Sequence, residues 1–239
     1  MQASLRYTLE DQRLMSAAKN YFAWQSRLAM REVGQKVIEI GCGVGNFTGM
    51  LLDRELVVAV DREAACIEQL KERYPGRANL RAMVGDIGDG RLDVGEGFDT
   101  CVCLNVLEHV EDDICALRAM RDLLAPGGAV ILIVPAFAAL YGPIDQELGH
   151  RRRYGRGDLE RVARGAGLRV VKIHYMNLAG LFGWWWNARI AKRTVQSAAQ
   201  IAFFDRWVVP AMARLEERVK PPFGQSLFAV MKKDATVTR

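Results

Sequence analysis

The 239-residue sequence predicts an α/β protein with a doubly wound, mostly parallel sheet. Five short β-branched runs have the length and composition of buried strands: 36–40, 56–60, 79–84, 98–104 and 129–134. Segments with helical periodicity separate most of these runs, at 46–53, 63–74 and 108–124. This alternation predicts parallel strands with helices on both faces of the sheet.

Two more strands are predicted beyond the fifth. A helix over 157–167 carries Asp158 in its first turn and precedes a sixth strand over 168–175. The segment 225–232 alternates well enough to form a seventh strand.

The composition favours a globular chain in a reducing compartment. Half of the residues are hydrophobic and 26% are charged, enough for one large core or a core with a small appended unit. No apolar stretch follows Arg6, so we expect no secretory signal and a cytoplasmic location. The five cysteines form no C-x-x-C pair, so we expect buried thiols and no metal site.

A glycine-rich loop over 37–49 is the most informative segment of the chain. A buried strand ends there, and glycines follow at positions 41, 43 and 45 before a helix predicted to begin at Asn46. Glycine permits positive φ angles and lets a ligand approach the backbone, and a helix N-terminus attracts anionic groups. We therefore expect a nucleotide-like cofactor. The dinucleotide fingerprint G-x-G-x-x-G does not match, because position 46 is Asn.

The loop is the first of five motifs whose order along the chain is informative. The pattern E-x-G-x-G-x-G at 39–45 precedes a strand ending at Asp61 and another ending near Asp86, then the segments 98–110 and 123–134. Together they resemble the class I S-adenosylmethionine (SAM) dependent methyltransferases, and in particular small-molecule enzymes similar to those of ubiquinone biosynthesis. The resemblance covers about residues 35–135.

This resemblance implies a seven-stranded Rossmann-like fold, with the last strand antiparallel between the fifth and sixth. It implies SAM as the cofactor, with Asp61 at the ribose hydroxyls and Asp86 at the adenine amino group. The cofactor contacts it implies are Glu39, Gly41, Cys42, Gly43, Gly45, Asn46, Asp61, Arg62, Asp86, Ile87, Asn105 and Val106.

A helix predicted over 14–33 carries several aromatic residues. Family members often close an N-terminal helix over the cofactor, which would bring Tyr21 and Trp24 to it. Packing of these rings on the sheet is an equal alternative.

The connection from about 176 to 224 is too long for a hairpin and predicts a helical insertion, 176–223, in a SAM-binding unit formed by 1–175 and 224–239. One apolar helix face, kinked near Pro210, is predicted from Phe204, Val208, Ala211, Met212, Leu215 and Val219. Basic residues exceed the acidic Asp205, Glu216 and Glu217: Arg189, Lys192, Arg193, Arg206, Arg214, Arg218 and Lys220.

Three roles for the insertion stay open. A cap over an apolar substrate pocket is the first, because the sixth strand ends at the edge of the sheet where ligands bind. A membrane-surface helix is the second, since Trp, Lys and Arg suit an interface. A dimer interface is the third. No run reaches the roughly 18 apolar residues needed to cross a bilayer.

The loop after the fifth strand, 135–155, supplies the candidates for substrate chemistry. His150 could take a proton from a nucleophile, with Asp145 orienting it or binding substrate, and His109 ranks second as a base. The Arg run at 151–153 could bind an anionic group or pin the loop. Candidate substrate contacts are Tyr141, Asp145, Arg153, Tyr154 and Trp185.

The expected activity is methyl transfer from SAM to an oxygen, nitrogen or carbon of a small, hydrophobic or lipid-like acceptor. Nucleic acid is a poor candidate as the acceptor. Family members that methylate amines of DNA or RNA bases often carry a Pro-Pro motif after the fourth strand, and the segment 104–107 lacks it. A protein acceptor and a non-catalytic SAM-binding or partner-binding role remain alternatives. Oligomeric state is left open.

Overall fold

The computed structural model describes residues 15–186 and 198–234 of the chain. The N-terminal segment expected to lack a signal and three basic residues of the insertion lie outside these ranges: Arg189, Lys192 and Arg193.

The described chain forms a seven-stranded sheet whose strands are β1 (Lys36–Ile40), β2 (Leu56–Asp61), β3 (Leu80–Val84), β4 (Phe98–Leu104), β5 (Leu124–Pro135), β6 (Arg169–Met176) and β7 (Ser226–Lys232). Their order across the sheet is β3-β2-β1-β4-β5-β7-β6. Only β7 runs antiparallel, and it pairs with both β5 and β6. The predicted fold class and the position of the last strand are confirmed.

Eight α-helices are described: α1 (Lys19–Ala29), α2 (Ala64–Arg73), α3 (Asp113–Leu123), α4 (Pro143–Glu147), α5 (Arg156–Gly165), α6 (Leu178–Trp185), α7 (Ala198–Phe203) and α8 (Val209–Arg218). A π-helical turn, Phe204–Val208, joins α7 to α8. Helices α3 and α5 pack on one face of the sheet, while α1 and α8 pack on the other. Alternate residues of each central strand supply the two cores, as the pleat requires.

The prediction of an α-helix over 46–53 is wrong. The segment contains turns and one short 3₁₀ helix, Thr48–Met50. Gly49 interrupts it, and a Cβ added there would lie 2.4 Å from the Tyr74 hydroxyl. Glycine also disfavours helix interiors. The glycine loop therefore has no following α-helix N-terminus to offer an anionic group.

The helix predicted over 108–124 begins later, because Asp112 caps it by accepting the N–H of Cys115 at 2.8 Å. A separate 3₁₀ turn, Leu107–His109, comes before it. Glu108 and His109 consequently lie at the end of β4, outside α3.

The insertion packs only partly through the predicted face, of which Phe204 lies against the core. Val209 and Ala213 are buried in the core with Trp24, whereas Leu215 and Val219 are 53% and 66% exposed. The expected irregularity near Pro210 takes the form of the π-helical turn just before it.

Two acidic residues of the insertion explain which face is buried. The Asp205 carboxylate accepts the N–H groups of Asn20 at 3.1 Å and Tyr21 at 2.8 Å, at the start of α1. The Glu216 carboxylate accepts those of Asn177 at 2.8 Å and Leu178 at 2.9 Å, at the start of α6. N–H groups at a helix start lack intrahelical acceptors, so both carboxylates are buried to accept them. The buried side of the insertion therefore differs from the side that apolar spacing predicts.

We predict that Asp205→Ala lowers the free energy of unfolding by about 1–2 kcal/mol, because two N–H groups of α1 lose their acceptor. Denaturant unfolding measures the change. Glu217→Ala is the matched control: it removes an ion pair with the half-exposed Arg27, which is expected to contribute less than about 1 kcal/mol. Equal losses in the two variants would contradict the capping role.

Candidate active site

The carboxyl ends of β4, β5 and β6 carry unusual backbone conformations. Asn105, Phe137 and Asn177 have φ of 55°, 61° and 63° and are the non-glycine residues with positive φ in the described ranges. Such conformations are costly and concentrate at functional sites. They mark one edge of the sheet as the site, the edge where the glycine loop also lies.

The glycine loop is tied to Asp61 at the end of β2. Gly43 has φ of 53° and donates its N–H to the Asp61 Oδ2 at 2.8 Å, while Glu63 donates its N–H to Oδ1 at 2.9 Å. Burial raises the pKa of Asp61, and these two hydrogen bonds oppose the rise. Each carboxylate oxygen accepts one bond here and has capacity for another.

The loop also touches the turn after β4. A Cβ added at Gly41, whose φ is 73°, would lie 2.2 Å from the Val106 Cγ2. Only glycine allows the loop backbone to lie this close to the Val106 side chain. Nearby, the Asp86 Oδ1 accepts the N–H of Gly88 at 2.8 Å, beside the buried side chain of Ile87.

Other predicted cofactor contacts have partners within the protein. The buried Glu39 accepts the Thr48 hydroxyl at 2.6 Å, and the Asn46 Oδ1 accepts a guanidinium N–H of Arg73 at 2.9 Å. Burial raises the pKa of the Cys42 thiol, and the half-exposed Arg62 pairs with Glu63 at 3.4 Å. These contacts position the loop, and direct contact of these four residues with the cofactor stays a prediction.

A second group of side chains comes from the loop between β5 and α5. The buried Asp145 carboxylate lies 2.7 Å from the His150 Nδ1 and accepts the Arg153 Nε–H at 2.8 Å. Burial opposes ionisation of Asp145, but the His150 hydrogen bond and the Arg153 charge hold its pKa below the ordinary value. The Tyr141 hydroxyl fixes the loop further by donating to the His150 carbonyl at 2.7 Å.

The turn after β4 brings two more groups to His150. The His150 Nε2 lies 3.9 Å from the Glu108 Oε1, and the His109 ring meets the His150 ring edge-on with centroids 4.8 Å apart. Burial raises the pKa of Glu108 to about 7 and lowers that of His109 to about 4. Within the described ranges, both Glu108 oxygens are buried without a hydrogen-bond partner.

This cluster allows two kinds of chemistry. An imidazole held by a carboxylate can serve as a general base. Ligand atoms of Glu108, His109 and His150 also lie within 4.8 Å of one another, a spacing that a divalent cation could bridge. Glu108 is not among the site residues predicted from the sequence, although its position between a strand and a histidine was a usable signal.

The Arg run pins the loop. Arg152 donates to the Asp113 carboxylate at 2.9 Å, and Arg151 donates to the His109 carbonyl at 3.1 Å. Arg153 has a side chain only 1% exposed and also bonds the Ala136 carbonyl at 3.1 Å. Tyr154 is buried, with its hydroxyl 3.0 Å from Asp113. These contacts favour the pinned loop over an anion-binding Arg run.

Aromatic residues fall on different sides of the site. On α6, Trp184 is buried and lies under the Arg153 guanidinium, 4.5 Å from its ring centroid, whereas the predicted contact Trp185 is 46% exposed. On α1, Trp24 is buried in the core and meets the Tyr21 ring edge-on. Packing of α1 on the sheet is thus the alternative that this geometry favours.

Comparison with known proteins identifies the family. A family model described as a methyltransferase domain matches residues 7–173. The chain belongs to this methyltransferase family. Its fold is accordingly that of a methyltransferase domain.

Relatives of this methyltransferase share only part of their length with it. The ubiquinone biosynthesis O-methyltransferase of Pseudomonas aeruginosa is 32% identical over 121 residues, which cover 41% of this chain and 44% of the relative. An uncharacterized methyltransferase of Mycobacterium bovis is 33% identical over 100 residues, covering 41% and 50%. The chain spans about half the length of the curated relatives it matches.

Solved structures match over nearly the whole methyltransferase. A Thermotoga maritima SAM-dependent methyltransferase, described as a possible histamine N-methyltransferase, has a TM-score of 0.64 at 14% identity and covers 96% of this chain and 97% of its own. The complex of the Haloferax volcanii Trm112 methyltransferase activator with a methyltransferase gives 0.62 at 18% identity, covering 97% and 95%. At such identities the likeness shows the fold alone.

We predict that the methyltransferase becomes less stable between about pH 5 and pH 8 because of Glu39. Its pKa rises from 4.5 to about 8 on burial, so within this window the unfolded state has lost a proton that the folded state keeps. The unfolding free energy should therefore fall with rising pH, by at most about 1.4 kcal/mol per unit.

Urea unfolding of the wild type and of Glu39→Gln across this pH range measures the effect. The difference between the two curves should slope, because the variant cannot ionise at this position. Glu55→Gln, which changes an exposed carboxylate, should leave the slope of the wild type intact. Parallel curves for the wild type and Glu39→Gln would contradict the prediction.

Proposed function

We propose that this enzyme methylates an oxygen, nitrogen or carbon atom of a small, hydrophobic or lipid-like acceptor, with His150 as the base. The observation that carries the proposal is the Asp145–His150 pair, 2.7 Å apart, beside the unpartnered Glu108. The pair lies on the loop that leaves β5, next to the turn after β4. That is the edge of a parallel sheet where ligands bind.

Residues around Asp61 suit the cofactor. Its two oxygens each have capacity for one more hydrogen bond, which matches a ribose diol. We propose that Asp61 accepts those hydroxyls, that Asp86 meets the adenine amino group, and that Ile87 and Val106 offer apolar contacts. The glycine loop leaves room for the methionine end, since it presents no Cβ. SAM brings a methyl group made electrophilic by a positively charged sulfur.

The protein's part in the reaction is to hold the acceptor and receive its proton. Because the pKa of Asp145 is lowered, the ionised carboxylate accepts Nδ1–H of His150 and leaves Nε2 as the free acceptor nitrogen. We propose that Nε2 takes the proton of an acceptor hydroxyl or amine. Glu108 lies 3.9 Å away and stabilises the imidazolium when the Glu108 carboxyl is ionised, above the pKa of about 7 to which burial raises it. His109 has a lowered pKa and stays neutral.

The apolar side chains of α6 are an argument for an apolar acceptor. Its residues Leu181 and Trp184 pack with Leu140 and Ile144 of the loop that carries His150. We therefore assign the cap of the 176–223 insertion to α6, while α8 packs beside α1. Residues 1–175 and 224–239 form the SAM-binding unit in this proposal.

Three alternatives would change the outcome of an assay. A cation bound by Glu108, His109 and His150 would make transfer sensitive to chelation, whereas the base mechanism survives chelator. A non-catalytic SAM-binding protein would transfer no methyl group to any acceptor. A protein acceptor would be labelled in the polypeptide fraction of an extract and not in its organic phase.

The proposed function is tested with methyl-labelled SAM and a panel of phenols, amines and carboxylic acids that carry alkyl chains of graded length. We expect labelled product, and we expect kcat/KM to rise with the length of the alkyl chain. Each buried methylene adds about 0.8 kcal/mol to the free energy of binding. His150→Gln should then lower turnover by roughly 10²–10⁴ with SAM affinity unchanged.

His109→Gln is the matched control for this assay, since its imidazole touches His150 but has no carboxylate partner within the described ranges. We expect it to retain most of the turnover. Full activity of His150→Gln at every pH would remove His150 from the mechanism. Activity abolished by a chelator and restored by Mg²⁺, Mn²⁺ or Zn²⁺ would replace the base with the cation.

A second prediction concerns the cofactor. Asp61→Ala should weaken SAM binding by about 1–3 kcal/mol for each ribose hydroxyl left unpaired, and calorimetric titration measures this loss. Gly43→Val should abolish binding, since a side chain would intrude on the ligand at a positive φ. Asp53→Ala, at an exposed carboxylate, is the control. Parental affinity in Asp61→Ala would refute the assignment.

A further inference from the structure

Exposed apolar side chains concentrate in one part of the enzyme. Eight of the ten large hydrophobic residues exposed in the described ranges belong to the insertion: Phe182, Trp185, Trp186, Phe203, Trp207, Leu215, Val219 and Phe223. Scattered exposed apolar residues are normal in proteins, but a cluster of aromatic ones marks an interaction surface.

Three of these residues lie along the helical segment 198–218, and Val219 follows immediately after its end. Phe203, Trp207, Leu215 and Val219 are spaced by multiples of four residues, and the exposed Ala211 occupies the remaining place. We name these five residues the outer stripe. Residues four apart are neighbours on the surface of a helix, so each stripe residue within the helix lies beside the next one.

The inner side of the same helix is already used. Asp205, Val209, Ala213 and Glu216 are buried against α1 and the start of α6. The segment thus has an apolar inner side that the protein covers and an apolar outer stripe that the described chain leaves in solvent. A helix lying on its own domain does not need the second stripe for stability.

The charges beside the outer stripe are basic. Arg206, Arg214 and Arg218 are exposed and each immediately precedes a stripe residue, and the exposed Lys220 follows the last one. The Arg206 guanidinium lies over the Trp207 ring, 5.1 Å from its centroid.

The acidic residues of this segment are all engaged. Asp205 and Glu216 accept backbone N–H groups, and Glu217 accepts the Arg27 Nε–H at 2.8 Å. The surface around the stripe is therefore apolar in the middle and cationic at its edge.

We infer that the outer stripe docks the enzyme on the surface of an anionic phospholipid bilayer. Trp and Phe suit the boundary between headgroups and acyl chains, and long Arg and Lys side chains reach from there to lipid phosphates. An anionic leaflet attracts such basic residues. A second copy of this chain fits the surface less well, since a two-fold contact would set its Arg residues against their own copies.

Among the residues described, no helix combines the length and apolar character needed to cross a bilayer. The inference goes beyond the proposed methyl transfer, and lipid binding can be measured without an acceptor. Its failure would leave the assignment of His150 untouched.

The test is flotation of the full chain with vesicles of phosphatidylcholine alone and of phosphatidylcholine with phosphatidylglycerol. We expect flotation with the anionic vesicles at low salt, much less with the neutral ones, and steep loss as ionic strength rises. Phe203→Ser with Trp207→Ser should weaken binding at least about tenfold, because the apolar anchor is lost. Arg214→Glu with Arg218→Glu should abolish binding to the anionic vesicles.

The matched control is Met50→Ser with Val84→Ser, which removes the two exposed apolar residues outside the insertion and should leave flotation unchanged. Calorimetric SAM affinity and circular dichroism confirm that each variant is folded. No flotation at low salt, or equal flotation of the stripe and control variants, would overturn the inference. Self-association of the wild type that disappears in the stripe variant, without any lipid binding, would overturn it in favour of a dimer.

Discussion

The buried carboxylate of Asp145 is the interaction on which the proposed chemistry depends. It accepts the Gly142 N–H at 3.0 Å, which closes the first turn of α4, and the Nε–H of Arg153 at 2.8 Å. Its remaining contact, 2.7 Å to the Nδ1 of His150, sets the tautomer of that ring. The same carboxylate thus folds the loop, balances a buried guanidinium and orients the proposed base, so its lowered pKa matters to stability and to the proposed catalysis.

Buried carboxylates also have more than one role in the insertion. Asp205 and Glu216 cap α1 and α6 while Val209 and Ala213 fill the core, so the helix is held by buried acids as well as apolar contacts. This arrangement removes the charges of Asp205 and Glu216 from the outer surface. The cationic, aromatic side that results is a consequence of how the helix is attached, and it links the attachment of α8 to the membrane contact that we infer.

Local patterns predicted much of the fold and the cofactor edge. β-branched runs and helical periodicity located all seven strands within a few residues, because burial on both faces of a parallel sheet leaves a local signature. They failed at 46–53, where Tyr74 packs onto Gly45 and Gly49 from a distant helix end. They failed again in the insertion, where capping of two helices outweighed amphipathic spacing. Tyr74 and the capped N–H groups lie far along the chain from the segments they affect, so a short window of sequence does not contain them.

The sequence by itself determined the order of strands and helices, the glycine loop, and the carboxylates that end β2 and follow β3, because each depends on neighbouring residues. Only the tertiary structure decided which groups meet. His150 reaches Glu108 and His109 because two loops about forty residues apart in the chain pack together after β4 and β5. Trp184 rather than Trp185 faces Arg153 for the same reason. Contacts between distant segments depend on packing and on the pairing of buried polar groups, and neither is encoded in local periodicity.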